Sequence, residues 1–428
     1  MKKNIQNPVF LLIILIMLVS PAIFWLSRGG NWTRDSILED RELVVFPQVS
    51  LQEFKTGLKR IYQGLYTEAG EVFFNQFIGG SFQRTVNKAA AEQMLLRIPL
   101  VELAKTFDRA VIHSAYAALP DDAYPASFDS SLYVDRRGEN LMQDLAYFDA
   151  AEKEAIDTRV ANYEQLLADH PDIHFYVYNI ETLPYSRFHP LAAYFPQADN
   201  GQSLAYFLAN KPEELAFANF DLNSYADYQE RFFKTDQHWN IRASLEAYGQ
   251  IYTLLKEQYP DISPMLTAEA IKQVDGIKFL GSMARKTLYP IAPDILEYAD
   301  VSMPDYDTYV DGELNNYSGR ENYLKGIYNR DKFYNHYRGF YGRQQILIQF
   351  HFNNDSPRNL LMVTSSYSRT IQMYIASHFH DTYVIDMRYE ENSSKSLQQF
   401  IDEYGITDVL VFGQPTVTYY SAEDAIIP

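Results

Sequence analysis

Cysteine is absent from all 428 residues. The chain therefore has no disulfide framework, no thiolate metal site and no cysteine nucleophile. Positive charge is scarce: 37 Lys and Arg face 55 Asp and Glu, a formal net charge of −18. No basic stripe is available to meet phosphates, which argues against a nucleic-acid binder. The acidic balance instead suits a body that stays dispersed near anionic surfaces. Internal repeats and low-complexity tracts are also lacking. Tryptophan occurs 3 times, whereas there are 34 Tyr and 27 Phe. Most of these rings are expected in the core, while those between Tyr317 and Tyr341 suit stacking on sugar rings. The length fits two or three domains, or one large α/β domain with insertions.

Long apolar runs are confined to one place. Val9 to Leu26 is uncharged and apolar, and Lys2 and Lys3 precede it. As a helix it spans about 27 Å, close to the roughly 30 Å of a bilayer core. The expectation is a transmembrane anchor with its N-terminus in the cytoplasm. Arg28 and Arg34 on the far side run against that charge bias. A cleaved signal peptide is the alternative, but the run exceeds a signal core of about 7–15 residues and no A-x-A site follows. The resulting plan is a tail over 1–8, an anchor over 9–26, a tether over 27–50 and an extracytoplasmic domain over 51–428.

Within that domain, helical spacing marks Leu51 to about Phe77, and residues 83 to 108 resume it with Pro99 as a break. Val111 to Leu119 and Ser131 to Val134 read as short strands, and Arg137-Gly138-Glu139-Asn140 as a turn. Ala150 to Ala168 is a helix by period, followed by the buried-type strand Ile173 to Tyr178, which is the signature of an α/β layer. Residues 202 to 233 carry weaker helical patterns, and Ile241 to Tyr259 is a helix. Residues 260–345 are rich in Tyr, Asn, Asp and Gly and read as loops with short elements, an insertion or lid. Leu360 to Val363 is a buried strand, Ile371 to Phe379 a helix, and Thr382 to Met387 a strand. Leu397 to Tyr404 is a helix capped by Gly405, and Val409 to Phe412 is a last strand.

Two stretches carry chemistry. In Thr235-Asp236-Gln237-His238-Trp239-Asn240, the Asp and His are two apart, which in extended backbone puts them on one side. A general-base His needs an orienting carboxylate, and Asp236 can supply it. Trp239 can wall a site, and Asn240 is a good N-cap for the following helix. In Thr364-Ser365-Ser366-Tyr367-Ser368, a small-residue turn joins a buried strand to a helix, the arrangement that offers a nucleophilic Ser at the carboxyl edge of a sheet. Taken alone, Ser366 reads equally well as a helix cap and His238 as a polar loop residue. His378-Phe379-His380-Asp381 reads as a solvated helix end and not as a metal centre, since four ligands are needed and only this small cluster is visible. Neither a metal nor a cofactor is expected.

The two stretches together resemble the DHHW family and the alginate O-acetyltransferase-like branch of the SGNH hydrolase superfamily. The likeness extends to Gly281-Ser282-Met283-Ala284-Arg285, Asp386-Met387-Arg388-Tyr389 and Ile406-Thr407-Asp408-Val409-Leu410. Gln237 departs from the family motif, which has His there, and Thr364-Ser365-Ser366 replaces the usual Gly-Asp-Ser block. Two serines are thus open as nucleophile, with the following Tyr-Ser matching Ser366. The resemblance implies an α/β fold, an SGNH-hydrolase-like mostly parallel sheet flanked by helices, and a triad in permuted order: Asp236 and His238 first, Ser366 last. It further implies a membrane-tethered O-acetyltransferase acting on a cell-surface polysaccharide, with a membrane-bound O-acyltransferase as acetyl supplier. On this reading Tyr367 or Ser366 lends a backbone N–H to the oxyanion, and Arg388 and Trp239 face substrate. Arg388 by itself reads more readily as a surface ion-pair partner of Glu390 or Asp386. A polysaccharide acetylesterase, a lipase-like esterase and a non-catalytic glycan-binding or assembly protein on the same fold are the alternatives.

Overall fold

The computed structural model describes residues 81–420, apart from 95, 121–123, 130–131, 316–318 and 343–344, together with scattered positions between 19 and 46. The expected anchor over 9–26, all but a few of whose positions are involved, and the helix expected from Leu51 to Phe77 lie outside the described residues. Among the described residues no helix is long and apolar enough to cross a membrane. Two compact units divide the chain, residues 1–108 with 288–290, and residues 109–287 with 291–428. In the first unit the helix Ser81–Glu92 ends on Glu92, whose carboxylate pairs with Arg41 at 2.8 Å and accepts the Val44 N–H at 2.6 Å.

The second unit is built on one eight-stranded sheet. In chain order its strands are β1 (His174–Ile180), β2 (Ala216–Phe220), β3 (Tyr306–Val310), β4 (Glu313–Leu314), β5 (Leu347–Phe352), β6 (Asn359–Thr364), β7 (Asp381–Ile385) and β8 (Asp408–Gly413). Their spatial order is β4-β3-β5-β7-β6-β8-β1-β2. The five strands from β7 to β2 run parallel, and β5, β3 and β4 continue the sheet antiparallel. β8, from the far end of the described chain, is hydrogen-bonded between β6 and β1 in the middle of the parallel part.

Strand side chains alternate between two faces, and each face has its own core. On one side Tyr176, Tyr178, Leu360, Met362, Leu410 and Phe412 pack with α3 (Ile241–Gln258) through Ala247, Tyr248 and Ile251. On the other, Val177, Leu361, Val363, Val409 and Val411 pack with α1 (Ala150–Asp169), α2 (Gln202–Asn210) and α5 (Leu397–Tyr404) through Ile156, Phe207 and Phe400. Both-face burial explains why these strands read as continuous apolar runs. The sheet is mostly parallel and flanked by helices, as expected.

Local signals set the helix boundaries. Asp149 caps α1 in a reciprocal box with Glu152, Asn240 accepts the Arg242 and Ala243 N–H groups at 3.1 Å to start α3, and Gly405, at φ 61°, ends α5. Three expectations fail. Val111 to Leu119 is not a strand but the end of the helix Arg97–Ala118, where the alanines outweigh Val111 and Ile112. Pro99 does not break that helix, because it sits in the first turn, where its missing N–H has no partner to lose. β2 and β5 were not among the expected elements. Leu410 is fully buried at the centre of the sheet. Leu410→Ala is expected to cost about 2–5 kcal/mol, read by chemical denaturation.

Candidate active site

The chain leaves β6 at Thr364 and turns at once into the short 3-10 helix Ser366–Thr370. Next to that turn comes the loop that precedes α3. His238 Nε2 lies 2.7 Å from Ser366 Oγ, and His238 Nδ1 lies 2.5 Å from Asp236 Oδ1. The structure thus brings Asp236, His238 and Ser366 into one hydrogen-bonded line. Of the two serines, Ser366 meets the imidazole. Ser365 is buried, and its hydroxyl donates to Gln414 Oε1 at 2.8 Å.

Asp236 and His238 are only 3% and 7% exposed. Burial pushes the Asp236 carboxyl up, but the His238 charge and hydrogen bonds from the His238 ring, the Ser282 N–H and the His238 N–H outweigh it and hold it at about 2. The Ser282 N–H donates to Oδ2 at 2.6 Å, and the His238 N–H to Oδ1 at 3.1 Å. The carboxylate is therefore ionised across the physiological range and fixes the tautomer that leaves Nε2 facing the serine. Behind it, Gly281 approaches so closely that a Cβ there would lie 2.2 Å from the Asp236 Cβ. Only glycine fits this contact. Thr235 is fastened in turn by the Asp294 carboxylate, which accepts from the Thr235 N–H at 2.9 Å and from its hydroxyl. Burial raises the Asp294 carboxyl to about 6 against these hydrogen bonds.

Several residues of the site have no conspicuous mark in the sequence. Tyr337, on the helix α4 (His336–Tyr341), stacks on the His238 ring at 4.2 Å and 13°, and its hydroxyl donates to the Ser366 carbonyl at 3.2 Å. The tyrosine face holds the plane of the imidazole. Gln237, where the family motif has His, accepts the Ser282 hydroxyl on its side chain and the Tyr367 hydroxyl, at 2.7 Å, on its backbone. Arg369 lies in the same turn as Ser366. Burial lowers its pKa, the field of Tyr337 opposes this, and the neighbouring Arg388 lowers it further.

The remaining expected residues are placed otherwise. Trp239 is fully buried and donates Nε1–H to the Tyr367 carbonyl at 3.1 Å, so it buttresses the Ser366 turn and does not wall a substrate cleft. The Tyr367 side chain is likewise buried, stacked obliquely near His238. Arg388 grips the buried Asp386 with Nε and Nη2, the ion-pair alternative. Tyr341 is partly buried, and its hydroxyl donates to the Glu297 carbonyl. A cavity of about 910 Å³ lies at the opposite, amino-terminal end of the parallel strands, bordered by Met265, Pro304, Phe352 and Arg358, and the triad is no part of its wall.

A mostly parallel α/β sheet with an Asp–His–Ser line at its carboxyl edge defines the class of the protein. No family model and no curated protein sequence matches the chain. Solved structures do. PatB1 of Bacillus cereus is 18% identical over 67% of this chain and 96% of that chain, with a TM-score of 0.52, and a second structure of it, with a sulfonyl adduct, gives 0.50 over 94% of that chain. A DHHW family protein from Eubacterium siraeum is 18% identical over 70% of this chain and 95% of that chain (TM-score 0.48). The O-acetyltransferase domain of Pseudomonas putida AlgJ is 10% identical over 66% and 90% (TM-score 0.37). The likeness is one of fold.

Two outcomes test the support around Asp236. Its folded pKa is below the ordinary value of 3.8, so its stabilisation is complete above about pH 4 and lost as pH falls toward 2. Asp236→Asn should remove about 2 kcal/mol of that pH dependence, read as the wild-type-minus-variant difference in unfolding free energy across this window. Gly281→Ala should displace the carboxylate and cost about 1–3 kcal/mol from overpacking, with a larger proportional loss of any His238-dependent activity.

Proposed function

We propose that this chain is a serine-dependent O-acetyltransferase that works outside the cytoplasm on a cell-surface polysaccharide. The observation that supports the reading is the unbroken line from Asp236 through His238 to Ser366, at 2.5 and 2.7 Å. In the first step His238 Nε2 takes the Ser366 proton as Oγ attacks the acetyl carbonyl. The donor's leaving group departs with that proton, and acetyl-Ser366 is left. In the second step a sugar hydroxyl gives its proton to His238 and attacks the acetyl-serine, and Ser366 recovers its proton. Asp236 stays ionised throughout and stabilises the imidazolium, with Tyr337 stacked on the same ring. The first N–H groups of a helical turn lack partners within it, so those of Ser366 and Tyr367 are our candidates for the oxyanion. Arg388 is paired with Asp386, but its side chain is 60% exposed, so a substrate contact for it belongs to this proposal.

A domain outside the cytoplasm has no direct access to cytoplasmic acetyl-CoA. The proposal therefore includes a membrane-bound O-acyltransferase as acetyl supplier and a membrane tether over residues 9–26. The sulfonyl adduct borne by the fold neighbour PatB1 suggests a probe.

A sulfonyl fluoride should modify Ser366, located by peptide mass spectrometry, and block release of acetate from an activated acetyl ester. Ser366→Ala and His238→Ala should each lower kcat/KM by roughly 10³-fold or more, while Ser365→Ala stays within a few-fold of wild type. A folded Ser366→Ala variant with full activity would overturn the reading. Adding a polysaccharide acceptor separates the two fates of the acetyl group: transfer puts it on the glycan, and an acetylesterase would yield acetate alone.

A further inference from the structure

The stretch His378-Phe379-His380-Asp381 divides in the fold. His378 turns inward, with Nε2 2.8 Å from the Tyr248 hydroxyl and Nδ1 2.7 Å from the Ser263 hydroxyl. His380 and Asp381 stand at the start of β7, where they meet His351 from the end of β5. His351 and Asp381 are direct cross-strand partners, so their side chains share one face. His351 Nδ1 lies 2.9 Å from Asp381 Oδ1, and His380 Nε2 lies 3.9 Å from Asp381 Oδ2. The two imidazole rings are 4.9 Å apart and nearly perpendicular. One ligand atom from each of the three residues falls within 4.8 Å of the others.

We propose that His351, His380 and Asp381 form a binding site for a divalent transition-metal ion, zinc foremost. A tetrahedral zinc holds N and O ligands at about 2.0–2.2 Å, which puts them about 3.4 Å from one another. Closing from the observed spacing needs small side-chain movements, and the side chains are free enough to make them, at 36%, 40% and 14% exposed.

The surroundings orient the three ligands. His380 Nδ1 lies 3.2 Å from the Asn354 carbonyl, a contact that places the ring proton there and leaves the Nε2 lone pair toward Asp381. Gln349 Nε2 donates to Asp381 Oδ1 at 2.9 Å and steadies the carboxylate. One strand over, Asp307 on β3 is the direct cross-strand partner of His351, outside the group whose ligand atoms fall within 4.8 Å of one another. The row Asp307, His351, Asp381 thus crosses three strands on one face. Two imidazoles with carboxylates suit zinc, copper or nickel and not magnesium or calcium, which take oxygen sets.

Such an ion would brace β3, β5 and β7 at the end of the sheet away from Ser366. The two places are about one strand length apart, ~16 Å at 3.3 Å per residue. The inference is independent of the proposed acetyl transfer.

The test uses the full chain without a histidine tag. Zinc titration by calorimetry should give one site per chain, and zinc but not magnesium should raise the melting temperature. His351→Ala and His380→Ala should each weaken binding at least tenfold, the double variant should abolish it, and Asp307→Asn should have a smaller effect. Cobalt(II) should give the visible absorption of a low-symmetry site. In the wild-type chain, zinc should protect His351 and His380 from diethyl pyrocarbonate, a measurement that needs no variant to fold. Equal zinc binding by wild type and double variant, or modification of both histidines unaffected by zinc, would overturn the proposal.

Discussion

A carboxylate with almost no exposure must find donors or take up a proton. Asp236 finds the Ser282 N–H, the His238 N–H and the His238 ring, and together these hold it ionised in a place where burial alone would neutralise it. The rest of the site depends on that one charge. It selects the His238 tautomer, and the tautomer directs Nε2 at Ser366. The close approach of Gly281 is part of the same constraint, because the donating Ser282 N–H reaches the carboxylate only if its neighbour has no side chain.

The fold delivers three separate segments to that charge. β6 ends at Thr364, and the following turn presents Ser366; the loop before α3 presents Asp236 and His238; the region between α3 and β5 sends Ser282 from one side and Tyr337 from the other. Trp239 joins the first two, since its indole, packed between Phe220 and Phe412, hydrogen-bonds the backbone of the Ser366 turn. Packing of the sheet core and placement of the serine are therefore one structural event. Gln237 ties Ser282 and Tyr367 to the loop.

The parallel core was legible because its strands are buried on both faces and read as apolar runs. β2 was not, because Ala216-Phe217-Ala218-Asn219-Phe220 is a half-exposed edge strand with little β-branching. β5 was hidden by Gln349 and His351, whose polarity reflects the exposed face of an antiparallel strand. Asp236 and His238 could be read from their spacing, and Ser366 from the strand-turn-helix pattern. Tyr337 could not, being one of 34 tyrosines, and neither could Asp294, which acts through backbone and hydroxyl contacts 59 residues away. The misreading of Trp239 has a simple cause: an aromatic residue beside a functional His can face the solvent or the core, and only the packing of α3 on the sheet decides which.

β8 enters the sheet between strands that precede it by a few dozen and by more than two hundred residues. Until residues 408–413 are in place, β6 and β1 have no common neighbour in the sheet. Loss of β8 would leave two half-sheets with exposed apolar edges, prey for proteolysis.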